Sequence, residues 1–352
     1  MTTIIHERPG VYSSYDASTV IRGGRAVRTI GVAAKSTAGA ANTPVILTNY
    51  SAGISAFGED TDGTMGMSTM LRLLFQNGAA TVVAVAVADE DYASAFAALQ
   101  AEDNIQIIVC DSSDETVQQA LRESILSASE VRRERIGVVG MSGADNAALI
   151  ERAAVLNCER MVLVGSDALD SNGNTIPGMF AAAAVASAIA ANADPAIPLN
   201  GTGLKGLSGV TTAYNDNEID LLVRGGVTPL ESVAGVVSPI RGITTRTTTG
   251  EVQDITWREL TTILIVDDVI PTIRSSLRSR FAQTKNTAQT RGAIRSQVIV
   301  ELENKLKAQI IDSYGDVTVA ASAEDPTVCL VEFTFSVAHG LNQIHLTAHI
   351  TI

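Results

Sequence analysis

The sequence predicts an α/β domain with a mostly parallel sheet, followed by an α+β domain. Three observations carry this. Between residues 27 and 165, short apolar runs alternate with segments of helical spacing, the pattern of repeated β-α-β units with helices on both faces of a sheet. After about residue 237 the pattern changes to two long helical stripes and then strands. The chain's last residues alternate with period two. Glu332, Thr334 and Ser336 oppose Val331, Phe333, Phe335 and Val337; after Gly340, Ile344, Leu346, Ala348, Ile350 and Ile352 oppose His345, Thr347, His349 and Thr351. A terminal strand has a free edge, so it can pair with its own domain or with a neighbouring copy.

Taken in order, residues 1–22 read as an extended arm, because Pro9 fixes the backbone of Arg8-Pro9-Gly10-Val11-Tyr12 and no helical period follows. Strands are expected at 27–34, 81–88, 105–110, 136–141 and 161–165. The run at 81–88 is almost wholly apolar, as a strand buried on both faces requires. Helices are expected at 65–76 (Met70, Leu73 and Leu74 on one side), 89–101, 114–134 and 145–156. Turn residues cluster at 170–174, and the alanine-rich run 179–193 reads as a buried helix too short to span a bilayer. Pro, Gly and Asn make 194–217 irregular. A helix over 257–281 is signalled by Leu260, Ile263, Leu264, Ile270, Ile273, Leu277 and Phe281, with a kink expected at Pro271. Ile294, Val298, Leu302, Leu306 and Ile310 make a second stripe, and 317–321 and the terminal strands complete the second domain. The resulting division is an arm at 1–22, an α/β domain at 23–236, an α+β domain at 237–343 and a terminal strand at 344–352. There is no internal repeat.

Composition bounds the function. Apolar residues at 46% and charged residues at 18% give a folded chain, and 4% aromatics mean a core of Ala, Val, Ile and Leu. A net charge of -13 argues against non-specific binding to nucleic acid or to an anionic membrane. Cys110, Cys158 and Cys329 form no C-x-x-C pair, which fits free thiols in a reducing cytosol. The N-terminus carries His6, Glu7, Arg8 and Pro9 and lacks the apolar segment of a signal peptide. Between residues 270 and 300 the charge reverses locally: Arg274, Arg278, Arg280, Lys285, Arg291 and Arg295 stand without an acidic residue. On a continuous helix Arg274, Arg278 and Lys285 would lie within about 40° of one another. The stretch reads either as a solvated face or as a docking stripe for an acidic partner.

Catalytic patterns are poorly represented. Gly137, Gly140 and Gly143 follow a strand and precede a helix, where a dinucleotide loop would sit, but the spacing is G-x-x-G-x-x-G and no Lys follows. Ser142 lacks the trailing glycine of a nucleophile elbow. Asp170, Asn172 and Asn174 suggest a calcium loop, yet no Glu closes it, and a hairpin turn is preferred. His345 and His349 share a strand face about 13 Å apart, too far for one metal ion. Glu59/Asp60 and Asp267/Asp268 are adjacent, so each pair points two ways. Neither a metal nor a cofactor is expected.

Four segments, in order, resemble the sheath proteins of contractile phage tails and phage-tail-like bacteriocins. These are Arg8-Pro9-Gly10-Val11-Tyr12 leading to Ile30-Gly31-Val32-Ala33; Pro177-Gly178-Met179 before the alanine helix; Pro198-Leu199-Asn200-Gly201, Leu207-Ser208-Gly209-Val210 and Glu218-Ile219-Asp220-Leu221-Leu222; and Gly225-Gly226-Val227-Thr228-Pro229 with Ile240-Arg241-Gly242-Ile243-Thr244-Thr245-Arg246-Thr247. The resemblance implies a structural, non-enzymatic subunit that stacks in hexameric layers around an inner tube and contracts to drive that tube through a cell envelope. It implies an outer α/β domain and an inner α+β domain whose sheet is completed by arms exchanged between subunits. The implied arm residues are Ile4, Ile5, Pro9, Val11 and Tyr12 at one end and Ile344, Leu346, Ala348, Ile350 and Ile352 at the other. The implied tube-facing residues are Arg274, Arg278, Arg280, Lys285, Arg291 and Arg295. The implied partners are other copies, the tail tube protein, and baseplate and terminator proteins; assembly would occur in the bacterial cytoplasm, before release as part of a virion tail or bacteriocin particle. A nucleotide-binding enzyme on the parallel sheet, and a closed shell built by strand exchange, are the alternatives.

Overall fold

The computed structural model describes residues 28–61 and 63–342. Both expected arms, including every arm residue named above, lie outside the described residues.

The first domain is a three-layer α/β/α body. In chain order it contains β1 (Ile30–Lys35), β2 (Val45–Leu47), α1 (Tyr50–Phe57), α2 (Met67–Gln76), β3 (Val82–Val87), α3 (Tyr92–Ala101), β4 (Ile107–Cys110), α4 (Glu115–Glu130), β5 (Ile136–Gly140), α5 (Asn146–Leu156), β6 (Met161–Gly165), β7 (Ala168–Leu169), β8 (Thr175–Ile176), α6 (Gly178–Ala191), β9 (Gly209–Val210), α7 (Asp216–Arg224), β10 (Val227–Val233) and β11 (Val236–Pro239). Eight of the strands make one sheet in the order β11-β10-β6-β5-β4-β1-β3-β2. The six inner strands are parallel, and only the rim strands β2 and β11 are antiparallel to their neighbours. Side chains alternate between two cores: Val82, Ala84 and Ala86 of β3 face α2 and α6, while Val83, Val85 and Val87 face the α3 side. Burial on both faces explains why β3 reads as a continuous apolar run. β7 forms a hairpin with β8, closed by the turn at Asp170, and also pairs with β9.

Helix boundaries follow local chemistry. Asn49, Asp91, Asp114, Asp145 and Asn215 each accept a backbone N–H at a helix start. The helix expected to reach residue 134 stops at Glu130, because Arg132 takes a left-handed conformation (φ 68°) and turns the chain into β5. α6 is buried around almost its whole circumference, since alanine side chains let it lie close both to the sheet and to α2. The boundary expected at 236/237 falls inside β11, which still belongs to the main sheet. Neither β10 nor β11 was expected; Pro229 sits within β10, where a proline argues against a strand.

The remaining elements are the hairpin β12 (Thr248–Thr249) and β13 (Val252–Gln253), then α8 (Leu260–Phe281), α9 (Ala288–Lys307), β14 (Ile311–Tyr314), β15 (Thr318–Ala321), β16 (Cys329–Glu332) and β17 (Phe335–Val337). α8 remains one helix through Pro271. It belongs to two cores: Leu260, Ile263 and Leu264 pack into the first domain, and Ile265, Val269 and Ile273 pack with Val298 and Leu302 of α9. The seam is ionic. Arg160 grips both Asp267 oxygens at 2.7 and 2.9 Å and Arg274 donates to Glu134 at 2.7 Å, while within the second domain Lys305 meets Asp268 at 2.6 Å.

Candidate assembly surfaces

The loop where a nucleotide would bind is already occupied by the protein's own groups. β5 ends at Gly140, where a Cβ would stand 2.2 Å from the Gly178 carbonyl oxygen, so the glycine serves close contact with the start of α6. Gly143 (φ 61°) supplies the turn, and its N–H donates to Asp167 at 2.8 Å. The other Asp167 oxygen accepts from the Gly178 N–H at 2.7 Å, so one carboxylate caps α6 and pins the loop. Asp145 takes the Ala148 N–H at the start of α5. The cavity beside them, about 550 Å³, is lined by Asp145, Asp167 and Glu218. A phosphate would find the Gly143 and Ala148 N–H groups spent and three carboxylates lining the cavity. His339, the one histidine among the described residues, lies in the second domain. Among the described residues no group of three His, Cys, Asp or Glu is placed to hold a metal, and no helix is long and apolar enough to cross a membrane.

The second domain presents an open ribbon. The expected single strand through Glu332–Ser336 is broken at Phe333 and Thr334: β16 pairs with β15, and β17 pairs with β14. The Gly315 N–H donates to the Thr334 carbonyl at 2.9 Å across the break, so the four short strands form one long bent hairpin. Side-chain alternation survives the break. Val331, Phe333, Phe335 and Val337 pack on the α8–α9 core, and Glu332, Thr334 and Ser336 are exposed. Among the described residues each of the two sheets has only two strands, so each keeps two unpaired edges.

The basic stretch does not form the stripe that a continuous helix would give. α8 ends at Phe281, and Lys285 lies in the turn before α9. Arg274 is spent on Glu134; burial works against that carboxylate's charge, but the Arg274 hydrogen bond, a backbone hydrogen bond and the charges of Arg274 and Arg160 together outweigh it and hold Glu134 below its ordinary range. Arg291 donates to Asn286, and the Arg295 Nε donates to the Val317 carbonyl at 2.7 Å. Arg278, Arg280 and Lys285 are exposed and carry no ion pair among the described residues. Sequence reasoning did not find the pairs of the seam, because Arg160 and Asp267 are 107 residues apart and nothing local marks them.

Two family models match in succession: the phage tail sheath protein central domain over residues 86–245 and the phage tail sheath C-terminal domain over residues 252–351. The chain belongs to the phage tail sheath family. This is a structural family, and the enzyme alternative falls with the occupied loop and with that membership. This sheath chain is 26% identical over 249 residues to a tail sheath protein of Bacillus phage SP01, covering 69% of this chain and 42% of that protein. It is 27% identical over 208 residues to the tail sheath protein of Mycobacterium phage Bxz1, covering 54% and 36%. It thus spans well under half the length of these curated relatives. The fold is shared with the sheath tail protein of Desulfitobacterium hafniense (TM-score 0.71, 12% identity, 93% of this chain and 100% of that one). It is shared also with the helical sheath of the anti-feeding prophage in its contracted state (TM-score 0.73, 16% identity, 98% and 99%). The contracted PVC sheath of an extracellular contractile injection system gives a TM-score of 0.73 at 13% identity, over 99% of both chains.

Proposed function

We propose that this sheath chain polymerises as stacked hexamers around an inner tube and contracts to drive the tube through a target envelope. The carrying observation is that sheath family models match both parts of the chain in succession. The open edges of the β14–β17 ribbon support the mode of assembly: residues 2–13 and 344–352 of neighbouring copies add strands there, through backbone hydrogen bonds with alternate side chains setting register. The α/β part faces outward and the α8–β17 part faces the tube. Of the six basic residues, Arg278, Arg280 and Lys285 are best placed to meet an acidic tube, while Arg291 and Arg295 are held by Asn286 and the Val317 carbonyl and Arg274 braces the fold. Baseplate and terminator proteins bound the polymer at its ends, and assembly precedes release from the host cell.

The test is electron microscopy of the full chain and of a variant lacking residues 344–352. The full chain gives hollow rods, and the truncated chain gives none. Closed shells, or rods from both chains, would defeat the reading.

A further inference from the structure

We propose that Asn200 is a positioning residue for the chain's last strand: it holds the root of residues 344–352 on the first domain, denies them the ribbon of their own copy and so commits them to a second copy. The inference rests on the proposed exchange of those residues and names the contact that enforces it.

The ribbon alone leaves the choice open. A strand that follows β17 joins its own sheet most directly by turning back along the free edge of β17, antiparallel, through a connection of about two to five residues. Residues 338–342 are the ones such a turn would use, and they are engaged otherwise. The Ala338 N–H donates to the Ile310 carbonyl at 3.2 Å, the last backbone hydrogen bond to the second domain among the described residues. Two residues on, the chain lies against the first domain. A Cβ on Gly340 would stand 2.9–3.1 Å from three atoms of the Pro198 ring, so the missing side chain lets the backbone lie flush there. At Asn342 the side-chain Oδ1 accepts from the Asn200 Nδ2 at 2.8 Å. Within five residues of β17 the chain has crossed to the other domain rather than reversed.

The anchor is firm. Leu199 and Leu204 are buried in the first core, the Gly201 N–H donates to the Pro239 carbonyl at 3.1 Å, and the Leu204 N–H donates to the Val237 carbonyl at 2.7 Å. These bonds sew the Asn200 loop to β11, the rim strand of the main sheet. The Asn342 bond is the only hydrogen bond that the Asn200 amide makes among the described residues, since its Oδ1 is buried without a partner. The side chain therefore adds nothing to its own loop, and its one bond holds the strap. Turning residues 344–352 back onto their own β17 would pull Asn342 away and leave a second buried amide atom unpaired.

The experiment is cysteine cross-linking of the full chain, read on a denaturing gel. The cysteines are Ser336→Cys, exposed on β17, and Thr347→Cys in the last strand, with Cys329→Ser; Cys110 and Cys158 are buried. A short bismaleimide joins them. A link within one copy gives a compact, faster monomer band, and a link between copies gives a ladder, so the two are separated even in an assembled polymer. The parent gives mainly the ladder. Asn200→Ala raises the internal band about fivefold, the factor that one ordinary hydrogen bond carries. Gly340→Ala, which sets a methyl group against Pro198, raises it as well. Asn200→Asp and Asn342→Asp each keep the ladder, because a carboxylate accepts from the remaining amide. Together they oppose two carboxylates and bring the internal band back, which separates the bond from a mere loss of fold. A ladder unchanged in Asn200→Ala and in the double Asp variant overturns the clamp and leaves strand exchange standing. A parent that gives only the internal band overturns both.

Discussion

Asp60 does for α2 what its own N-cap, Gly66, cannot. Its carboxylate accepts from the N–H groups of Gly66, Ser68 and Thr69 and from the Thr69 hydroxyl, at 2.6–3.1 Å. Burial pushes its pKa up, but these donors outweigh burial and hold it below the ordinary 3.8. A depressed carboxylate stabilises the fold above pH 3.8, and that stability is lost as pH falls through the lower, folded value. Asp60→Asn is therefore expected to cost about 1 kcal/mol at neutral pH and to flatten the acid limb, read from urea titrations at pH 7, 4 and 3. Asp60 was visible in the sequence only as half of an adjacent acidic pair, because its partners lie up to nine residues on, across a loop. Arg135 was equally hidden. It is fully buried, donates to the carbonyls of Leu99 and Glu102, and closes the end of α3 from a distant turn.

At the scale of elements, the parallel strands were legible because burial on both faces leaves no polar position in them. The alanine helix was legible because small side chains all round leave it no solvent face. Its placement was not. α6 starts where Gly140 and Gly178 bring two backbones together, and only coordinates show that these glycines meet. Gly140→Ala would set a methyl group against the Gly178 carbonyl, which is backbone and cannot rotate away. It is expected to cost about 3 kcal/mol, measured as a lowered denaturation midpoint with unchanged slope. The ribbon was half legible. Alternation assigned the faces of Val331 to Val337 correctly, but period-two patterning carries no mark of a break that preserves alternation, as the one at Phe333 and Thr334 does.

For the whole molecule, charge is divided between the domains. Residues 28–236 hold 24 acidic and 11 basic side chains, whereas residues 237–352 hold 12 and 11. The excess of negative charge thus belongs to the α/β domain, and the turn between α8 and α9 is a basic spot on a nearly neutral body. Reversing Arg278, Arg280 and Lys285 to Glu is expected to leave the circular dichroism spectrum and melting point unchanged while abolishing co-sedimentation with an acidic tube. Normal decoration would assign the tube contact elsewhere. The sequence located this spot by counting charges, but the shared face of Arg274, Arg278 and Lys285 held only for a continuous helix, and α8 ends at Phe281.

The double allegiance of α8 bears on how the protein can be cut. The two family matches leave a gap between residues 245 and 252, which invites division there. A piece stopped at 250 would lack Leu260, Ile263 and Leu264, three buried members of the first domain's own core, and would expose the apolar surface they cover. A piece carried on to residue 266 keeps all three. Gel filtration of the two excised pieces is expected to give a monodisperse peak for the longer one and aggregate for the shorter, which places the working border of the α/β domain inside a helix that sequence comparison assigns to its neighbour.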